Sequence, residues 1–511
     1  PAMAADLPLY LLLAILLGIP LILFATASRP RAGGLRLPPG PWALPVIGHL
    51  HHLAGALPHR ALRDLARRHG PLMMLRLGEL SVVVASSPDA AREVMRTHDA
   101  TFASRPTGPM LELAYRGARG VVFAPYGEGW RQLRKICALE LLSARRVQSF
   151  RPVREGEVGR LLRSVAAAAS ASSSSPVNLS QGIAAYVADS AVRAIIGSRF
   201  KHRDAYLRML QEGLKIVPGM TLPDLFPSSR LALLVSRVPG RIERHRWGMQ
   251  RFIDTIIAEH RENRASAKED DDDDEDLLDV LLRLQKEVDS QHPLTTENIK
   301  TVMQDMFGAG SETSATTLQW AMAELMRNPR VMRKAQDEVR RALGDHGKVT
   351  EDKLTSLRYL PLVIKETLRL HPAGPLLLPR ECGSACQVLG FDIPEGTMVI
   401  VNGWAIGRDP AHWDEPDEFV PERFDRGERD FRGTDFEFIP FGAGRRMCPG
   451  MAFGLAHIEL ALAALLFHFD WELPGGMAAE RLDMTEAFGI TTRLKNDLVL
   501  VAVPRVPVSI V

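Results

Sequence analysis

Phe441-Gly442-Ala443-Gly444-Arg445-Arg446-Met447-Cys448-Pro449-Gly450 is the stretch from which the rest of the chain can be read. Behind it, residues 451–471 place Phe453, Ala456, Leu460 and 463–466 at helical spacing. Pro449 suits the first position of that helix, where a missing N–H costs nothing. Cys448 then sits at a helix N-terminus, where the macrodipole and free N–H groups favour thiolate over thiol. Gly442, Gly444 and Gly450 permit a tight loop and the close approach of a flat ligand. Arg446 puts a fixed cation two residues before the sulfur, suited to an anionic group on that ligand. A cysteine alone would be an ordinary buried thiol; the surrounding pattern is what singles this one out.

Phe441, Gly444, Arg446, Cys448 and Gly450 fit Phe-x-x-Gly-x-Arg-x-Cys-x-Gly, which resembles the haem-binding signature of the cytochromes P450. The resemblance implies haem b, with the Cys448 thiolate as axial ligand of its iron.

The chain has 511 residues, 46% of them hydrophobic, enough for a large core. Its 63 basic and 61 acidic residues nearly balance, which argues against a nucleic-acid partner. Four cysteines, Cys137, Cys382, Cys386 and Cys448, are too few for a disulfide scaffold and fit a reducing compartment. Cys382 and Cys386 have no second pair in zinc-ligand spacing.

Residues 7–27 carry no charge and are long enough to span a bilayer of about 30 Å as a helix. Arg29, Arg31 and Arg36 follow, so the body is expected on the cytosolic side. A cleaved signal peptide is the rival, but no Lys or Arg precedes the apolar run. Residues 28–45 read as a basic, proline-rich hinge, and the resemblance implies that 46–511 is the catalytic domain.

Helical spacing is expected over 56–68, strands over 72–77 and 80–85, and a loop around the apolar pieces 110–113 and 121–123. Trp130 and Arg134 are i,i+4 and share a helix face. By spacing alone they fit a cation stacked on an aromatic; the resemblance implies that they hold a haem propionate. The serine-rich stretch 170–175 and the acidic run 269–276 read as solvated loops. Residues 298–326 read as one long helix with small residues from Gly308 to Ser311 at its middle. There Glu312-Thr313 places an acid beside an alcohol. Without context this is a kink with a back-bonded threonine. With Gly310 it resembles the family's oxygen-activation motif, implying that Thr313 and Glu312 manage protons.

Glu366 and Arg369 are i,i+3 on a helix over 360–370, an ordinary ion pair by spacing. The resemblance makes them, with Arg423, a buried structural lock, and sets Arg380 against the second haem propionate. His371 and His457 read as structural. Short strands are expected near 387–393 and 498–503. The resemblance, which covers nearly the whole chain, implies a mainly α cytochrome P450 fold with a small β region behind an N-terminal transmembrane helix. The motifs look like the plant A-type microsomal branch: a monooxygenase of the endoplasmic reticulum membrane, fed electrons from NADPH by NADPH–cytochrome P450 reductase. A reductase-independent isomerase or dehydratase is the alternative, against which the Glu312-Thr313 pair speaks. The family's pocket segments carry Met110, Leu111, Leu113, Phe307, Ala309, Ala373, Leu376, Leu377, Phe488 and Ile490, none of them charged. They suit a small hydrophobic substrate, foremost a sesquiterpene or diterpene, with an indole, oxime or phenylpropanoid as the alternative.

Overall fold

The computed structural model of the chain describes residues 34–508 apart from 117–119, 172–174, 198–204, 206–207, 210–211, 214–220, 267–274, 288–292, 345–348 and 428. The expected membrane anchor, the first part of the hinge, and parts of the serine-rich and acidic runs lie outside the described residues.

Helices dominate. In chain order, the elements that build the site are α1 (Pro58–His69), β1 (Leu72–Leu77), β2 (Leu80–Ala85), α2 (Pro109–Tyr115), α3 (Glu128–Ile136), α4 (Leu179–Ile196), α5 (Val238–Ser266), α6 (Thr296–Arg327), α7 (Tyr359–Leu370), β3 (Arg380–Glu381), β4 (Met398–Val401), α8 (Met451–His468), β5 (Glu486–Ala487) and β6 (Arg493–Leu494). Pro58 and Pro109 open their helices in the first turn, where no N–H is needed. Thr295 opens α6 with a capping box: its hydroxyl accepts from Asn298 N–H, and Asn298 Oδ1 accepts from Thr295 N–H.

The core lies where α6 and α8 pack together with α4. Leu318, Ala321, Leu460, Leu462 and Leu466 are each 0% exposed there. A leucine so buried contributes about 1.5–3 kcal/mol. Among the described residues α8 is the one helix long and apolar enough to cross a membrane, but two-thirds of it (67%) is buried inside the protein. Its apolarity belongs to the core.

The main sheet has the order β1-β2-β4-β3. β1 and β2 pair antiparallel from Leu72↔Ala85 to Leu77↔Leu80, and β2 runs parallel to β4 with Val83 opposite Val399. β3 is antiparallel to β4, which fixes Arg380 opposite Val399. The hinge end is tied to this sheet, since Met74 N–H donates to Pro39 O at 2.8 Å.

Two local expectations are corrected. The apolar piece at 110–113 is helical, because Pro109 starts a helix there. Helix α8 stops at His468, and Phe469–Glu472 becomes a strand against Val499–Pro504. The short strands expected near 387–393 are present as a hairpin, Cys386–Val388 against Phe391–Ile393, turning at Leu389 and Gly390, both with positive φ.

Candidate active site

The loop 441–450 is held in place by its backbone. Gly444 has φ +68° and lies against the Met95 carbonyl and Asp99, so a Cβ there would run into the Met95 oxygen. Asp99 also accepts from the Arg445 N–H at 3.0 Å and its guanidinium at 2.9 Å. Cys448 N–H donates to Phe441 O at 3.0 Å. Helix α8 begins at Met451 with Gly450 as its N-cap, so Pro449 stands before the helix instead of in it. The sulfur still receives the Gly450 N–H. Burial pushes the Cys448 thiol up from its usual range, while that N–H and Arg134 act against the rise. Cys448 is surrounded by protein, yet its surface is open. The opening is onto a cavity of about 420 Å³ that Phe441, Gly442, Arg446 and Cys448 line together.

Four of the five arginines on this cavity wall, Arg105, Arg134, Arg380 and Arg446, bond to backbone carbonyls. Arg134 donates to Met447 O (2.6 Å), Arg380 to Ala443 O (2.9 Å), Arg446 to Ala103 O (2.6 Å), and Arg105 to Leu378 O and Pro379 O (both 2.8 Å). Trp130 lies beneath Arg446, its ring centre 4.1 Å from the guanidinium carbon, and donates its N–H to Val121 O at 2.9 Å. That indole N–H is thus engaged by backbone, not free for a carboxylate.

Of the four, Arg380 alone has a carboxylate partner among the described residues, Asp99 at 3.5 Å. Burial depresses Arg105 strongly, reinforced by its neighbours Arg380 and Arg446; burial likewise lowers Arg134 and Arg380, and takes Arg446 to about 9. Guanidinium does not give up its proton in proteins, so these buried cations, with Asp99 their one carboxylate partner among the described residues, leave positive charge for a ligand to balance. A flat dianionic cofactor with a metal for the thiolate answers it, and haem b fits the donor set.

Helix α6 forms the facing wall with Gly308, Ala309, Gly310, Glu312 and Thr313. The helix runs unbroken through them. A Cβ on Gly308 would meet open space, and one on Gly310 would reach only the Phe453 ring at 3.7 Å. These glycines therefore leave room and do not kink the helix. Thr313 Oγ1 donates back to Ala309 O at 2.7 Å. Glu312 Oε1 accepts from Thr491 Oγ1 at 2.6 Å, and burial pushes its carboxyl up.

Behind the loop, Arg369 grips Glu366 with two bonds, 2.8 and 2.7 Å, and Arg423 reaches the same carboxylate at 3.0 Å. Glu366 and Arg369 side chains are 0% exposed. Arg369 also donates to the carbonyls of Gly407 and Pro416 at 2.7 and 2.6 Å, tying α7 to the chain before the cysteine loop. His371 pairs with Glu324 and stacks on Trp320, and His457 bonds Ser190; neither lines the cavity.

Of the expected pocket residues, Ala309, Ala373, Leu377 and Ile490 line the cavity. The other six do not. Met110 packs on Ile242 with Leu113 beside it, Phe307 turns into the core behind α6, and Leu376 joins the sheet cluster. Phe488 is 44% exposed against His59, and Leu111, one turn position from Met110, does not reach the wall. The wall is also more polar than expected, for Tyr115, His245, Arg246, Gln304 and Asp305 belong to it. Of these, Asp305 had a signal in the sequence: it stands i−4 and i−7 to Ala309 and Glu312 on the α6 face. Arg105, in a loop, had none.

A model of the cytochrome P450 family matches residues 38–501. The chain is 50% identical to desmethyl-deoxy-podophyllotoxin synthase of Sinopodophyllum hexandrum, over 91% of both chains. It is 46% identical to premnaspirodiene oxygenase of Hyoscyamus muticus, over 92% of this chain and 93% of that one. Identity to the ent-isokaurene C2/C3-hydroxylase of Oryza sativa subsp. japonica is 48%, over 92% of both. A zebrafish cytochrome P450 solved with progesterone superposes with a TM-score of 0.74 at 24% identity, over 88% of this chain and 100% of that one.

Proposed function

This chain belongs to the cytochrome P450 family, and on that premise we propose that it oxidises a sesquiterpene or diterpene skeleton at a carbon held between Cys448 and the Ala309–Gly310 wall. It is a haem-dependent monooxygenase. Bound haem supplies the activation of dioxygen, with electrons from NADPH through a reductase; one oxygen atom enters the substrate and the other leaves as water.

The residues divide the remaining work. Cys448 gives the sulfur ligand, and Arg105, Arg134, Arg380 and Arg446 neutralise the anionic edge of the cofactor. Glu312 and Thr313 hold and move the protons that reduction of oxygen consumes. Glu366, Arg369 and Arg423 keep the cysteine loop in place.

The observation that carries the substrate reading is the wall that shares the cavity with Cys448: Ala309, Gly310, Ala373, Leu377 and Ile490. An apolar skeleton against it gains about 25 cal/mol for each Å² buried. The relatives named for premnaspirodiene and ent-isokaurene support it, since both names carry the suffix of an unsaturated hydrocarbon. A second reading, an indole, oxime or phenylpropanoid, draws on Tyr115, Gln304 and Asp305, which offer hydrogen bonds on the same wall. Titrations following the low-to-high-spin shift decide between them. Shifts with terpene hydrocarbons are expected; shifts with phenolic or indolic compounds alone would overturn the terpenoid reading.

We place the enzyme at the endoplasmic reticulum membrane, anchored by 7–27 with its catalytic domain in the cytosol. Support comes from exposed apolar side chains on either side of the β1–β2 turn. Trp42 (64%) and Val46 (57%) stand on one side, Leu231 (66%), Leu234 (83%) and Val235 (60%) on the other. Backbone bonds from Gly78 to Ile47 and from Glu79 to Leu225 hold both stretches to that turn.

A further inference from the structure

Glu312 does not point away from the cavity toward bulk water. Its side chain turns to the loop between β5 and β6, where Thr491 Oγ1 donates to Oε1 at 2.6 Å. The second oxygen, Oε2, is buried without a hydrogen-bond partner. Thr491 is itself only 5% exposed, and the backbone beside it is pinned. Thr492 N–H donates to Ala373 O, and Trp320 Nε1, from α6, donates to Thr492 O, both at 2.9 Å. The hydroxyl is thus fixed to the same helix that carries Glu312, one turn pair further on. Burial favours the neutral acid, while Arg493, the first residue of β6, favours the carboxylate. Ile490, next in the chain, lines the cavity with Glu312 and Thr491.

We infer that Thr491 is a positioning residue for the oxidation: its hydroxyl holds the Glu312 carboxyl at the cavity edge and sets how readily that carboxyl releases a proton. A hydroxyl that donates to a carboxylate stabilises the charged form, so Thr491 makes Glu312 a stronger acid than its burial alone would allow. Because Ile490 and Thr491 share one short pinned loop, a substrate seated on Ile490 bears directly on the residue that orients the acid. The inference rests on the reading that Glu312 handles protons.

The test is an infrared titration of the protonated-carboxyl band in the full-length haem-loaded protein, with Glu312→Gln identifying the band by its loss. In Thr491→Val the band should persist to higher pH than in the wild type, and Thr491→Ser, which keeps the hydroxyl, should restore the wild-type midpoint. The ratio of product to NADPH consumed should fall in Thr491→Val and recover in Thr491→Ser. If Thr491→Val loads no haem, Thr491→Ala takes its place. An unmoved midpoint without the hydroxyl, or a Thr491→Ser protein that behaves like the valine variant, would overturn the assignment. Failure of the underlying reading looks different: Glu312→Gln would then leave the product ratio unchanged although the valine variant moved the band.

Discussion

A buried thiol holds its proton until a cation takes the proton's place. Burial raises Cys448 above the usual thiol range, and only the Gly450 N–H and Arg134 work the other way. Bound as the proposed iron ligand, Cys448 would be a thiolate, since a coordinated thiol is deprotonated. Cys448→Ser should therefore abolish the red-shifted Soret band of the reduced carbon monoxide complex; a serine variant that binds haem and keeps the band would remove Cys448 from the ligand position. Thr313 makes a narrower claim. Its hydroxyl sits on the cavity face of α6, bonded back to Ala309. General acid–base groups contribute about 10²- to 10⁴-fold. Water in the cavity replaces part of that, so Thr313→Ala should lower the ratio of product to NADPH by about tenfold. Hydrogen peroxide should rise in step, with substrate binding intact. An unchanged ratio would count against a proton-handling hydroxyl.

At the scale of elements, two buried carboxylates brace the site and behave differently. Glu366 is shared by Arg369 and Arg423 where water does not reach. Removing it leaves the buried Arg369 and the partly buried Arg423 without their shared carboxylate, a cost of about 3–5 kcal/mol. Glu366→Ala should accordingly yield little haem-loaded protein, read as haem per chain after purification; full loading with slow turnover would assign the trio a catalytic part. Asp305 on α6 accepts from Val122 N–H at 3.0 Å and so fastens the segment after Gly120 to the helix. Burial takes its carboxyl from 3.8 to about 7. A raised carboxyl means the folded chain binds the proton more tightly than the unfolded chain. The stability this group contributes is complete below pH 3.8 and is lost as pH rises through about 7. Thermal melting from pH 5 to 7 should show the wild type losing stability relative to Asp305→Asn; parallel pH profiles would contradict this. The helices themselves were largely legible beforehand. β1 and β2 fall at the expected 72–77 and 80–85, the second marked by β-branched Val82, Val83 and Val84, and α6 extends the expected 298–326 by a few residues at its capped ends. The short helix at Pro109 was missed because seven residues carry too few turns to show a period.

Across the whole molecule, what the sequence made legible was what lies contiguous in the chain. The cysteine loop, the Glu312-Thr313 pair and the Glu366–Arg369 pair are each local strings, and the fold brings them together around one cavity and its supporting shell. The walls were legible only in part, since they are assembled from segments hundreds of residues apart and depend on which way each side chain turns. Phe307 and Ala309 stand two apart on one helix, yet one faces the core and the other the cavity. Arg105 and Thr491 carry no motif, and their parts follow from what folding sets beside them. The substrate proposal turns on this same scale, on the balance between the apolar wall shared with Cys448 and the polar groups Tyr115, Gln304 and Asp305. The most direct measurement is turnover under ¹⁸O₂ with reductase and NADPH on a panel of sesquiterpene and diterpene hydrocarbons, indoles, oximes and phenylpropanoids. A terpene product that carries one labelled oxygen atom is expected, formed only when NADPH is present. Labelled products from the indole, oxime or phenylpropanoid arm alone, or turnover without incorporated label, would contradict it.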